Sequence, residues 1–121
     1  MLQADIKKLT KENDNFRKVI YTGDNSQLVL MCIPVGEEIG AETHQEIDQI
    51  LFFVSGEAKA ILNEQSSDCS EDQVVFVPAG TRHNFINSGD QDLKLYTVYS
   101  PPAHADGVIH QTKQEADKEE Y

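Results

Sequence analysis

The chain has 121 residues, with 10 Lys and Arg against 21 Asp and Glu, a formal net charge of −11. That length suits one domain able to bury a core without disulfides, and the negative excess repels phosphate backbones and anionic bilayers, so no nucleic acid or membrane partner is expected. Cys32 and Cys69 match neither a CxxC pair nor a disulfide framework; with no signal-peptide pattern and no apolar run of about 18 residues, a soluble, cytoplasmic protein is expected.

In chain order, residues 1–15 are polar with weak helical periodicity and read as an N-terminal arm rather than core. Seven short runs then follow that are rich in β-branched and aromatic residues: Phe16–Tyr21, Gln27–Ile33, Gln49–Val54, Glu57–Leu62, Gln73–Val77, His83–Asn87 and Leu93–Tyr99. Turn chemistry separates them, as in Thr22-Gly-Asp-Asn25, Ser55-Gly56, Pro78-Ala-Gly80 and Asn87-Ser-Gly-Asp90. The spacing predicts an all-β sandwich or barrel over residues 16–110. Leu28–Ile33 and Ile50–Val54 are apolar on both faces, so one face fills the interior while the other needs a cover from a second sheet or a second subunit. Cys69 falls in a Ser- and Asp-rich loop and is expected as an exposed, unreactive thiol. His104 and His110, in a Pro-rich segment with no strand partner, are expected in a surface loop over the barrel and not as ligands. Residues 111–121 form a charged tail, expected as exposed helix or disordered.

Chemistry concentrates in two segments, Glu42-Thr-His44 with Gln49, and Pro78-Ala-Gly80-Thr-Arg-His83 with Asn87. On an extended strand Glu42 and His44 project from one face, as do His83, Phe85 and Asn87. A return strand after Gln45–Asp48 could bring Gln49 beside His44, giving three ligands from one hairpin, with His83 arriving from a remote strand. Gly56, Gly80 and Asn87 read as structural. By the same parity, Phe53 and Phe85 could line an apolar pocket below the site. Neither a GxSxG elbow nor a phosphate-cradling Gly loop occurs.

These segments resemble the small single-domain members of the cupin family. The family's first motif reads G(x)5HxH(x)3–4E(x)6G, and Gly36, Glu42, His44, Gln49 and Gly56 stand at its positions. Its second, G(x)5PxG(x)2H(x)3N, is matched by Pro78, Gly80, His83 and Asn87, with Asp72 where the first Gly would stand. The resemblance covers roughly residues 15–115 and is similar to a bacterial-type small cupin subgroup. It implies a double-stranded β-helix, or jelly-roll barrel, with a divalent metal ion in its mouth, and carries the four ligand positions onto Glu42, His44, Gln49 and His83. Two of these depart from the family pattern: Glu42 replaces a His and Gln49 replaces the Glu. The carboxylate has moved rather than vanished, so the formal ligand charge is unchanged, while the amide oxygen of Gln49 is a weaker donor than a carboxylate.

Two imidazoles and one carboxylate suit Fe, and imidazole with oxygen donors also suits Mn, Ni or Zn. The function expected is a metal-binding small cupin acting on a small organic molecule as an isomerase, oxygenase or lyase. The alternative is a noncatalytic ligand-binding or scaffold cupin whose altered site no longer holds metal. A homodimer is expected, from the two-faced strands and from the resemblance.

Overall fold

The structure, a computed structural model, describes residues 1–119; of the charged tail, residues 120 and 121 lie outside the described residues. The elements run α1 Ile6–Glu12, β1 Arg17–Thr22, β2 Gln27–Ile33, β3 Glu42–Thr43, β4 Asp48–Ser55, β5 Glu57–Leu62, β6 Gln65–Ser70, β7 Val74–Val77, β8 Arg82–Asn87, β9 Leu93–Ser100, β10 Ile109–His110 and α2 Lys113–Asp117. The strands form two antiparallel sheets, one ordered β10-β1-β2-β9-β4-β7 and the other β3-β8-β5-β6.

The sheets close on one another through alternate residues. Leu93, Leu95, Thr97 and Tyr99 of β9 are buried while the residues between them are partly exposed, the period of two expected of a strand with one face in a core. Val29, Met31, Ile33, Leu51 and Phe53 join them from the six-stranded sheet, and Ala58, Ala60 and Phe85 from the four-stranded one. Gly56 allows the chain to pass between them: its φ is +90°, and a Cβ there would stand 2.8 Å from the Asp92 carbonyl oxygen. All seven runs read from the sequence are strands, with ends shifted by a residue at most.

The polar N-terminal segment contains a helix that covers the sheet. Asp5 caps α1 by accepting from the Lys8 amide at 3.2 Å, and α1 packs on β2, β4 and β9. Lys94 on β9 donates to the Lys11 carbonyl at 2.7 Å and to Asp14 at 3.0 Å. Leu30 and Cys32, on the outward side of β2, are buried beneath this segment. The second apolar face of β2 is thus covered in part by the same chain.

Two readings are corrected here. Cys69 is not an exposed loop thiol but a buried residue of β6. The Gln65–Ser70 run has almost no strand-forming residues; it is a strand because Asn63 and Glu64, at φ +48° and +74°, make a tight two-residue turn that folds it back on β5. His110 likewise has a strand partner, Arg17 of β1, and its ring is fully buried. Its burial comes from the return of the C-terminal segment across the barrel, which no local pattern encodes. In that segment Thr112 caps α2 and Ala116 packs into the core.

Asp72, at the position where the cupin motif has its first glycine, adopts φ +70°. Asp is among the few residues that tolerate this left-handed conformation, so the substitution preserves the turn.

Candidate metal centre

Glu42 and His83 are direct cross-strand partners, because β3 pairs with β8 in the four-stranded sheet. The expected hairpin from His44 to Gln49 does not form: β3 and β4 lie in different sheets, and the connection between them crosses the barrel mouth. His83, remote in sequence, is the immediate neighbour of Glu42, while Gln49 reaches the interior from the opposite sheet. Sheet register brings Glu42 and His83 together where the sequence suggested local proximity of His44 and Gln49.

Glu42, His44 and His83 offer three ligand atoms that all lie within 4.8 Å of one another. His44 Nε2 is 3.3 Å and His83 Nε2 is 3.5 Å from Glu42 Oε1, and the two rings are tilted at 42° with centroids 5.4 Å apart. The His83 side chain is 1 % exposed, that of Glu42 34 %. The group therefore spans the wall between core and mouth.

Hydrogen bonds fix which atoms face inward. His83 Nδ1 is 2.9 Å from the Thr81 carbonyl oxygen; since a carbonyl can only accept, Nδ1 carries the proton, and in the neutral ring Nε2 presents a lone pair to the site. Gln49 is 2 % exposed, and its amide nitrogen donates to Thr97 Oγ1 at 3.2 Å, whose hydroxyl donates to the Ile50 carbonyl at 2.8 Å. That chain orients the amide and leaves Gln49 Oε1 buried. Among the described residues, His44 Nε2, His83 Nε2 and Gln49 Oε1 are all buried without a hydrogen-bond partner. Buried polar atoms are rarely left so, and two imidazole nitrogens and an amide oxygen are all donors to a divalent cation. The residues fit a metal ion on this ground.

Burial alone would raise the Glu42 carboxyl, but the two imidazoles outweigh it and hold the group at about 2. For His83, burial pulls the value down, and Glu42 with the Thr81 carbonyl more than reverse that, so it is raised above 6.5. A metal would take the place of the proton that His83 Nε2 otherwise gains beside Glu42.

A cavity of about 340 Å³ opens at this group, with Arg17, Glu42, His44, His104, Asp117 and Glu119 among its lining residues. Its apolar walls include Phe16, Ile39 and Ile47. Phe53 and Phe85 are placed elsewhere: both are fully buried, their rings 6.0 Å apart, with Phe85 6.2 Å from the His83 ring. They form the core behind His83 while the chain ends supply the cavity walls. The loop carrying His104 does pack over the barrel, yet His104 faces the site, its ring edge-on to Tyr99 at 5.1 Å. Burial first, then the charge of Arg17, lower its value to about 3, so it is a neutral wall at ordinary pH. Asn87 is structural: its amide donates to the Ile33 and Gln91 carbonyls, both at 2.9 Å.

Sequence reasoning missed Arg17 and His104. Arg17 had one available signal, its parity with the inward-facing Val19; His104 had none, since its segment carries no periodicity.

A cupin-domain family model matches residues 29–99. The chain belongs to the cupin family. The cupin is similar to YrkC of Bacillus subtilis, a protein described only as uncharacterized, at 41 % identity over 93 % of this chain and 64 % of that one. It therefore spans a little under two thirds of that relative's length. The crystal structure of BH2720 from Bacillus halodurans superposes with a TM-score of 0.95 at 38 % identity, covering 96 % of this chain and 92 % of the other. MJ0764 of Methanocaldococcus jannaschii, described as an RmlC-like cupin with a double-stranded β-helix fold, has a TM-score of 0.67 at 18 % identity over 75 % of this chain and 84 % of that one, a likeness of fold alone. No described helix of this cupin is long and apolar enough to cross a membrane.

Proposed function

We propose that this cupin holds one divalent metal ion, Fe, Mn, Ni or Zn, on Glu42, His44 and His83, with Gln49 Oε1 as a fourth, weaker donor, and presents it to a small organic molecule in the adjoining cavity. The observation that carries this is the set of three buried polar atoms, His44 Nε2, His83 Nε2 and Gln49 Oε1, left without a hydrogen-bond partner, the two imidazoles beside a carboxylate. When bound, such an ion supplies a Lewis acid at the mouth of the cavity, the requirement shared by isomerase, lyase and oxygenase chemistry on oxygen-bearing molecules. Around it, the chain's own residues exclude bulk water on the His83 side and keep His104 uncharged.

The test is metal analysis of protein loaded in turn with Fe2+, Mn2+, Ni2+ and Zn2+. One equivalent per chain is expected for at least one of them, lost in His44→Ala and His83→Ala. No stoichiometric metal under any loading would reject the proposal. A second reading is favoured by one distance: Glu42 Oε1 lies close enough to both imidazoles to form an ion pair with either ring when it is protonated, which describes a metal-free binding cupin. That reading requires ligand binding by protein stripped of metal.

The proposal extends to a homodimer. Tyr21, Leu28, Val98, Ile50 and Phe76 are successive cross-strand partners, an apolar row over five strands. Tyr21 and Phe76 at its ends are 44 % and 51 % exposed. A second copy would cover this row as α1 covers its neighbour. A monomer by light scattering at working concentration would reject it.

A further inference from the structure

We propose that Arg17 makes this cavity a socket for a carboxylate, so that the small molecule bound at the metal centre is an organic acid. The inference deepens the metal reading, on which it rests for where the remainder of the ligand lies.

Arg17 is the first residue of β1 and lies on the inward side with Val19, directly across from His110 of β10. It is 7 % exposed. A guanidinium is charged at every accessible pH and has five donors and no acceptor, and a buried charge is costly unless paired with an opposite one. What the protein provides is a neutral partner. Arg17 Nη1 reaches His110 Nδ1 at 3.2 Å; since the guanidinium only donates, that nitrogen accepts, which places the imidazole proton on Nε2, 2.8 Å from Glu119 Oε2. Arg17 Nε is buried with no partner.

The acids at the mouth do not supply the missing charge. Glu119 is engaged by His110, and Asp117 by Lys113 at 2.8 Å. Among the described residues no ion pair joins Arg17 to a carboxylate. A buried, cavity-lining cation with an unmatched N–H is a site made for an anion entering from outside, and the planar fork of Nε and Nη favours a carboxylate. The Phe16 ring, 5.3 Å from the guanidinium carbon, supports it from one side. The cavity, about 340 Å³, is near the lower limit for ligand pockets, so the acid is small. Glu42 lines the same cavity and repels an anion until a metal ion neutralises it; affinity should therefore rise on metal loading.

Oxamate and oxamide, alike in shape and different in charge, separate charge recognition from fit. Calorimetric titration of each into Zn2+-loaded protein should show oxamate binding at least about tenfold tighter. Arg17→Gln should erase that preference while retaining zinc, and Arg17→Lys, which keeps the charge and guards against a folding defect, should retain part of it. Equal binding of the two compounds, no binding of either, or unchanged oxamate affinity in Arg17→Gln would overturn the socket, whether or not zinc is retained. Charge-selective, Arg17-dependent oxamate binding by protein that retains no metal would uphold the socket and reject the metal site.

Discussion

Two imidazole–carboxylate clusters share the barrel mouth, one built from Glu42, His44 and His83 and the other from Arg17, His110 and Glu119. In the second, both ring nitrogens of His110 are used: Nδ1 accepts from Arg17 at 3.2 Å and Nε2 donates to Glu119 at 2.8 Å. In the first, only the far side of His83 is engaged, by the Thr81 carbonyl, and both Nε2 atoms point at a single carboxylate oxygen from 3.3 and 3.5 Å, outside hydrogen-bonding geometry. The residue types are nearly the same. What separates a candidate metal centre from an internal strut is whether each nitrogen's second valence is already taken by the protein.

The sharpest way to break that distinction is metal content. His83→Ala should bring bound metal from one equivalent to none by plasma mass spectrometry, whereas His110→Ala should leave it unchanged. Loss of metal in both, with the fold retained by circular dichroism, would make the clusters one unit. Stability should rank the two the other way. His110→Ala deprives the buried Arg17 of its neutral partner and should cost about 3 kcal/mol in urea unfolding of metal-free protein; His83→Ala, which removes a ring whose Nε2 is already unpartnered, should cost less.

Gln49 gives a finer measure. Gln49→Glu should tighten metal binding about tenfold by placing a charged oxygen where a neutral one stands, and Gln49→Ala should weaken it slightly. No response to either change would remove Gln49 from the donor set.

The pH response should change sign with metal. Without it, the raised His83 value contributes stability that is complete below 6.5 and disappears as pH rises through the folded value. The lowered Glu42 value contributes stability present above 4.5 and lost as pH falls towards about 2. With metal, deprotonated His83 is the ligand, so stabilisation by the ion should grow with pH across the interval in which the metal-free pair weakens. Parallel thermal melts with and without Zn2+ from pH 5 to about 8 would show the two curves diverging. The smallest effect belongs to the strut's exposed end: Glu119→Gln, at a side chain 51 % exposed, should cost under about 1 kcal/mol.

Local chemistry determined a good deal of this protein from sequence alone. Alternation of apolar residues placed seven strands because a strand's period of two acts within the strand itself, and the spacing of Glu42, His44 and His83 was legible because a fixed offset on an extended segment fixes the face. Tertiary structure decided the rest, since it depends on pairings between segments far apart in the chain. The polar β6 exists only through its turn onto β5, Glu42 meets His83 through sheet register rather than through a hairpin, and α1 covers a face that the sequence left to a second sheet or subunit. His110 carries no local mark of its burial, and Arg17 only its parity with Val19; they face each other across 93 residues of chain because the C-terminal strand returns to the first, and that return closes the cavity over the candidate metal centre.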